Sequence, residues 1–394
     1  MKIISINSEN SLFRFNLFEM NDESLVASGI FEGIGTEMGS YTIKYNGEKI
    51  TQDIELPSHV DAVKLLVEQL IALEFIHSYD DIKGIGHRIV HGGSKYTESC
   101  FITDQVIHDI EEYASFAPLH NPGHILGIRA FREVLPDTPM VAVFDTAFHQ
   151  TMKEDEFIYP VPYQWYRNYG VRKYGAYGTS HRYITNCVKE ILGREEFKLI
   201  SCHLGNGGSI TAIKDMKCFD TSMGFSPLAG IMMGTRSGNI DPSIIPYVME
   251  KEGKNAGEVI DDLNSRSGLL GMSEYSSDMR DIVAKCEEND PKAILAKNKF
   301  IRRVVDYIAQ YYVLLEGCDM IVLTAGVGEN NSYIRKEICD RLKCLGVKID
   351  NSKNESHGEL VKLSTVDSKI AVYVIPTNEE LMIARDTLDL IKNR

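Results

Sequence analysis

The chain has 394 residues, 43% of them hydrophobic and 25% charged, and its formal net charge is −14. Those proportions describe a globular chain of two or three domains and exclude a disordered one. No apolar run is long enough to span a bilayer. The acidic balance argues against nucleic acid as a partner, because a phosphate backbone needs a basic footprint, although a local arginine cluster can still serve a small anion.

The first predicted element is a strand over residues 2–6. Its surroundings, Met1-Lys2-Ile3-Ile4-Ser5-Ile6, lack the sustained apolar core and cleavage site of a signal peptide, so a cytoplasmic location is expected. Eight cysteines are scattered with no C-x-x-C pair, and all are read as reduced thiols. Further short apolar runs predict strands at 83–90, 140–144, 198–203, 208–213, 319–324 and 370–375. Amphipathic periodicity predicts helices at 59–77, 104–113, 122–134, 180–192, 242–252, 255–264, 290–316, 331–345 and 378–391. This alternation is the α/β pattern.

Along these elements lie the residues that could carry chemistry. The opening Ile4-Ser5-Ile6-Asn7-Ser8-Glu9-Asn10-Ser11 is echoed by Ile200-Ser201-Cys202-His203-Leu204-Gly205-Asn206-Gly207-Gly208-Ser209. Both read as a strand, a polar turn able to present backbone N–H groups to an anion, and a second apolar segment. The echo suggests a duplicated domain with a nucleotide in the cleft between the copies; two unrelated hairpins would read the same way. Arg88, in Gly86-His87-Arg88-Ile89-Val90-His91-Gly92-Gly93, and Arg236, in Gly234-Thr235-Arg236-Ser237-Gly238, sit among glycines that let backbone approach a ligand. Their guanidinium forks match phosphate oxygens. The H-x-x-x-H spacing of His87 and His91 falls on a strand and has no third ligand nearby, so zinc is not expected there. The run Pro139–Thr146 ends a buried-type strand in Asp145, placed either to hold a metal or orient a nucleophile, or to cap a helix. Ile321–Asn331 reads strand, Gly326-Val327-Gly328 turn, helix start, which is a weak nucleotide signal by itself. Near the end, Thr377 and Glu380 have capping-box spacing, which would leave Glu379 to face a ligand.

Together these segments resemble the acetate kinase family over essentially the whole chain. The likeness is carried by Ala117-Pro118-Leu119-His120-Asn121-Pro122, Val143–His149, Tyr174-Gly175 with Gly178-Thr179-Ser180-His181, His203–Gly207, Asp220–Phe225, Met233–Gly238 and Pro376–Leu381. The resemblance implies an α/β fold of two duplicated ribonuclease-H-like domains of the actin/sugar-kinase type, with a nucleotide cleft between them. The domains would be 1–148, completed by a C-terminal helix at about 381–394, and 149–380, which binds nucleotide and dimerises. It implies reversible in-line phosphoryl transfer between ATP and acetate, with Mg²⁺ or Mn²⁺, in a homodimer with no membrane or nucleic-acid partner. Carried over, Arg88 and Arg236 neutralise the phosphoryl group and the carboxylate, His120 donates to the phosphoryl, Asp145 positions the acceptor, and His181 and Tyr177 complete the catalytic set. Val90, Leu119, Ala176 and Pro227 join Arg88 around the carboxylate. Asn7 and Glu379 lie near the metal. Arg14, His203, Gly205, Asn206, Gly207, Asp278, Arg280, Gly326, Gly328 and Asn330 serve the nucleotide.

Three positions depart from the family pattern. Glu9 stands where a glycine is usual and adds a carboxylate beside a phosphate turn, a repulsion of about 1 kcal/mol in water at 4 Å and about 4 at intermediate dielectric. It would swing out, sit near the metal, or weaken phosphate binding. Tyr177 replaces a histidine; its hydroxyl donates one hydrogen bond but carries no positive charge. Ala176 replaces a phenylalanine of the acetate pocket, which either enlarges the pocket for propionate or butyrate or is refilled by a neighbour. A catalytically impaired nucleotide-binding paralogue is the alternative of a different class.

Overall fold

The computed structural model describes residues 1–394. The chain divides into two compact units, Met1–Phe148 with Asn378–Arg394, and His149–Thr377.

The first unit carries strands β1 (Lys2–Ser8), β2 (Leu12–Glu19), β3 (Ser24–Glu32), β4 (Ser40–Tyr45), β5 (Glu48–Asp53), β6 (Ile82–Ile89), β7 (Cys100–Phe101) and β8 (Met140–Phe144). They form one sheet in the order β5-β4-β3-β2-β1-β6-β8-β7. β1 to β5 are an antiparallel meander, whereas β1, β6 and β8 run parallel. In β2 the alternation Phe13, Phe15, Leu17 turns every second side chain inward, and all three are buried. The polar edge strand β5 is largely exposed, which discourages pairing with another chain.

One face of this sheet is covered by helices His59–Ala72 and Asn121–Val134, which share a core of Ile4, Ile6, Phe13, Phe15, Leu66 and Phe131. The first helix starts at Ser58, whose hydroxyl accepts the Asp61 N–H at 3.2 Å, a standard N-cap. It ends at Ala72, five residues before the periodicity suggested, because Glu74 turns left-handed at φ +59°. The opposite face takes helix Glu379–Lys392, whose Ile383 packs on Val141 and Val143. Gly84 and Gly86 permit that approach: a Cβ on either would stand 2.4 Å from Ile391 or Ile383. The cap of this last helix corrects the sequence reading. Asn378, not Thr377, is the N-cap and accepts the Leu381 N–H at 3.0 Å, so Glu380 closes no capping box.

The second unit carries β9 (Lys198–Leu204), β10 (Gly208–Lys214), β11 (Lys217–Thr221), β12 (Met320–Thr324), β13 (Val361–Lys362) and β14 (Ala371–Val374), in the order β11-β10-β9-β12-β14-β13. Its pairing repeats that of the first unit. β9, β10 and β11 form an antiparallel meander as β1, β2 and β3 do, and β9, β12 and β14 run parallel as β1, β6 and β8 do. Two copies of this mixed arrangement make the fold a duplicated ribonuclease-H-like one of the actin/sugar-kinase type. The helix Pro291–Leu314 buries Phe300, Ile301, Val304 and Ile308 in the core of this unit.

Candidate active site

In the first unit the parallel strands β6 and β8 deliver Arg88 and Asp145 at their carboxyl ends, where ligands of α/β sheets bind. The Arg88 guanidinium donates from Nε and Nη2 to Oδ2 of Asp145, at 3.0 and 2.7 Å. The Asp145 side chain is fully buried, and its amide donates to the Ile89 carbonyl at 2.8 Å. A carboxylate buried in this way depends on its cation, and removing the cation costs about 3–5 kcal/mol.

The helix Asn121–Val134 begins directly after His120, which occupies its N-cap position with no side-chain cap bond. Asn121 is buried and clamps this start to the exit of β6, accepting from the His91 N–H at 3.2 Å and donating to the His91 carbonyl at 3.0 Å. Val90 is buried beside that clamp, whereas Leu119 is 61% exposed. Asn7 lies on β1 opposite Arg14 on β2, just before the opening turn, and Glu379 is the first residue of the last helix. Arg14 donates from Nη1 to Oε1 of Glu9 at 3.2 Å, so the unusual carboxylate swings out of the turn onto this arginine.

The second unit builds a cavity of about 620 Å³ from the β9–β10 turn, helix Met279–Glu287, helix Pro291–Leu314 and the β12 exit. Gly205, Asn206, Asp278, Arg280, Gly326 and Asn330 line it, and all six were singled out in the sequence for the nucleotide. Asp278 caps its helix, and Arg280 folds back with Nε 3.0 Å and Nη2 2.5 Å from its two oxygens. The hydrogen bond from Arg280 holds the Asp278 carboxyl below its ordinary range.

The wall also contains residues that pattern reasoning missed: Leu269, Ser277, Met279, Phe300, Val327 and Asn331. Phe300 had no signal, since it reads as one more core position of a long helix. Gly328 does not line the cavity; it packs where a Cβ would be 3.0 Å from the Leu323 carbonyl carbon. Gly326 is the second residue of helix Ala325–Asn330, whose first residue, Ala325, is held left-handed at φ +63°. Glu329 fixes this turn: one carboxylate oxygen accepts from the Ala325 N–H at 2.7 Å, Thr324 Oγ1 at 3.2 Å and the Thr377 N–H at 3.0 Å.

Tyr177 is the left-handed N-cap of helix Gly178–Leu192. Its ring stacks on His203 at 4.3 Å between centroids, and its hydroxyl lies against Gly207, 2.0 Å from where a Cβ would be. His203 bonds Ser180 Oγ at 2.8 Å, which meets Thr377 Oγ1 at 2.8 Å. His181 is fully buried, with Nδ1 at 2.9 Å from Ser201 Oγ and Nε2 at 3.0 Å from Ser209 Oγ. Burial holds its imidazole well below the usual pKa. Both ring nitrogens are engaged by hydroxyls of β9 and β10, which ties the helix start to that hairpin. Ala176 packs into the core of this unit, and its carbonyl accepts from His149 Nε2 at 2.9 Å. Arg236 donates from Nη1 to the Pro227 carbonyl at 3.1 Å, which brings two of the expected carboxylate residues together.

A glycine turn and G-x-G helix start around a cavity, with a buried Arg–Asp pair at parallel strand ends on a duplicated ribonuclease-H-like fold, define a phosphotransferase of the nucleotide-binding kind. The acetokinase family signature matches residues 2–385, and the chain belongs to that family. It is 51% identical to the acetate kinase of Bacillus cytotoxicus, over 99% of this chain and 98% of that protein. The crystal structure of Porphyromonas gingivalis acetate kinase superposes with a TM-score of 0.94 at 39% identity, covering 99% of both chains. A propionate kinase from Francisella tularensis subsp. tularensis SCHU S4 also gives 0.94 at 39% identity, over 98% of this chain and 99% of that one.

Proposed function

We propose that the chain phosphorylates acetate with ATP, reversibly and by direct in-line transfer. A carboxylate oxygen of acetate attacks the γ-phosphorus, the bond to the β–γ bridging oxygen breaks, and acetyl phosphate and ADP separate. The observation that carries the reading is the second unit's cavity, whose glycine turn and G-x-G segment suit a nucleotide, in a chain of this family.

The transfer asks the protein for positioning and for positive charge around the equatorial oxygens. Arg88 and Arg236 supply the charge, His120 and Tyr177 supply hydrogen-bond donors, and Asp145 orients the acceptor through its pairing with Arg88. Val90, Leu119, Ala176 and Pro227 are the residues assigned to the carboxylate. His203, Gly205, Asn206 and Gly207 receive the phosphates, and Asp278, Arg280, Gly326 and Asn330 receive the nucleoside. Mg²⁺ fits the hard oxygen donors of Asn7 and Glu379: this ion is usually held by one or two carboxylates and the substrate phosphates. When bound it neutralises phosphate charge. Eight free thiols suit the reducing cytoplasm, and a homodimer is the expected assembly.

A propionate reading has one observation in its favour, the equal likeness to a propionate kinase. Purified protein with MgATP and acetate, propionate or butyrate, the acyl phosphate being trapped as hydroxamate, tests both. Preference declining from acetate upward supports acetate; a maximum at propionate or butyrate replaces it. No turnover on any of the three, with nucleotide still bound, sinks the kinase reading.

A further inference from the structure

The opening turn of the first unit is held from beneath by two imidazoles. His124 Nδ1 lies 2.7 Å from the Ser8 carbonyl oxygen, and His59 Nε2 lies 3.0 Å from the Glu9 carbonyl oxygen. A carbonyl only accepts, so each of these ring nitrogens carries the proton. His124 is buried, and its Nε2 has no partner, so the bond to Ser8 alone sets its tautomer.

The helix that carries His124 is shaped to receive the turn. A Cβ on Gly123 would stand 2.6 Å from the Glu9 carbonyl carbon and 2.8 Å from the Asn10 nitrogen. A Cβ on Gly127 would stand 2.1 Å from Ser8 Oγ. Gly123, His124 and Gly127 share one face of the helix by their spacing, and two small residues let that face meet the backbone. The same helix begins after His120. The turn and the His120 cap are thus parts of one rigid piece. In the second unit the fourth residue of helix Gly178–Leu192, His181, bonds the Ser201 and Ser209 hydroxyls on β9 and β10 instead of a turn carbonyl.

We infer that His124 and His59 are positioning residues for phosphoryl transfer. By drawing the Ser8 and Glu9 carbonyls inward they keep two partial negative charges away from an incoming phosphate and fix the turn in register with His120. This rests on the reading that the opening turn serves the nucleotide phosphates.

The test uses leucine to remove each donor and the isosteric amide to keep it. His124→Asn places an N–H where Nδ1–H stood, and His59→Gln does the same for Nε2–H. H124L and H59L are expected to raise the KM for MgATP up to about tenfold, the effect of losing one hydrogen bond to a buried carbonyl at Ser8 and a part-buried one at Glu9. The KM for acetate is expected to stay within about twofold, since that affinity is not built on the turn. H124N and H59Q are expected to recover most of the loss at melting temperatures matched to their leucine partners. MgADP titration by calorimetry repeats the series without turnover. A wild-type chain that binds MgADP but transfers nothing overturns the function and leaves the Kd series to decide the positioning role. Leucine variants with wild-type KM and Kd overturn the inference, as do amide variants no better than leucine ones. Should H124L fail to fold, the His59 pair decides, because His59 sits at the start of another helix.

Discussion

The two units place a short turn at the same point of the same strand order, between β1 and β2 in one and between β9 and β10 in the other, and secure it differently. In the first unit the Glu9 N–H donates to the Leu12 carbonyl at 2.7 Å, and imidazoles from two helices also hold the turn carbonyls. The second turn closes likewise, Gly205 N–H donating to the Gly207 carbonyl at 2.9 Å, but its outer carbonyl is held by backbone, Asn206 O accepting from the Gly234 N–H at 2.9 Å. Tyr177 then lies over Gly207. A turn with side chains needs side-chain anchors, whereas a glycine turn can fold tightly and leave room for a ring above it.

The largest effect that separates the units concerns one fully buried histidine in each, His181 and His87. His181 bonds two buried hydroxyls, and Ser209 keeps Thr221 Oγ1 at 3.4 Å, so His181→Leu should destabilise by about 1–3 kcal/mol for the Ser201 hydroxyl it leaves unpaired. His87, buried in the first unit against Phe131, has an unpartnered Nε2, so His87→Leu should be near neutral at pH 7. Lower pH exposes the cost of that ring. Burial pushes His87 down to about 3, and unfolding returns it to about 6.5. Below pH 6.5 the unfolded chain takes up a proton that the folded chain refuses. Its contribution to stability is therefore complete above that pH and is lost as pH falls toward 3. Urea unfolding at pH 7 and pH 5 should show His87→Leu losing about 2 kcal/mol less than the natural chain. An identical loss in both would mean that the ring titrates freely in the folded protein.

A smaller effect sharpens the contrast between the turns. Gly207→Ala puts a methyl where the Tyr177 hydroxyl sits, so the tyrosine must shift. Gly207→Ala and Tyr177→Phe should each lower kcat about tenfold, and the double variant should be little worse than either, because both act on one hydroxyl. Additive losses would separate Tyr177 from the turn.

Much of this arrangement was legible in the sequence, and the gaps have physical causes. The seven strands expected from apolar runs all form, most of them inside the sheets where both faces are buried. The missed β3, β4 and β5 are half-exposed meander strands whose polar faces hide the apolar ones. β2 could have been found, because Phe13, Phe15 and Leu17 alternate with Arg14 and Asn16. At the site, residue types with a charge or a glycine turn were visible as Arg88, Asp145, Gly205 and Gly326. The apolar cavity wall and the anchors His59 and His124 were not, since their meaning lies in which backbone atom they meet. His181 stands in a chemical motif, and its bonds to Ser201 and Ser209 could not be read from the motif either.

The smallest effect belongs to the feature that most distinguishes the first turn, its Glu9–Arg14 pair. Both side chains are about half exposed, 44% and 49%, so the pair contributes under about 1 kcal/mol to folding. Its effect on phosphate binding is electrostatic and short-ranged. Arg14→Ala leaves the Glu9 carboxylate uncompensated and should raise the KM for MgATP about threefold at low salt, while Glu9→Gly should leave it equal or lower. Both differences should vanish near 1 M salt, where the screening length is about 3 Å. Equal KM values in all three chains at low salt would mean that the first turn meets phosphate through its backbone alone, as a glycine turn does.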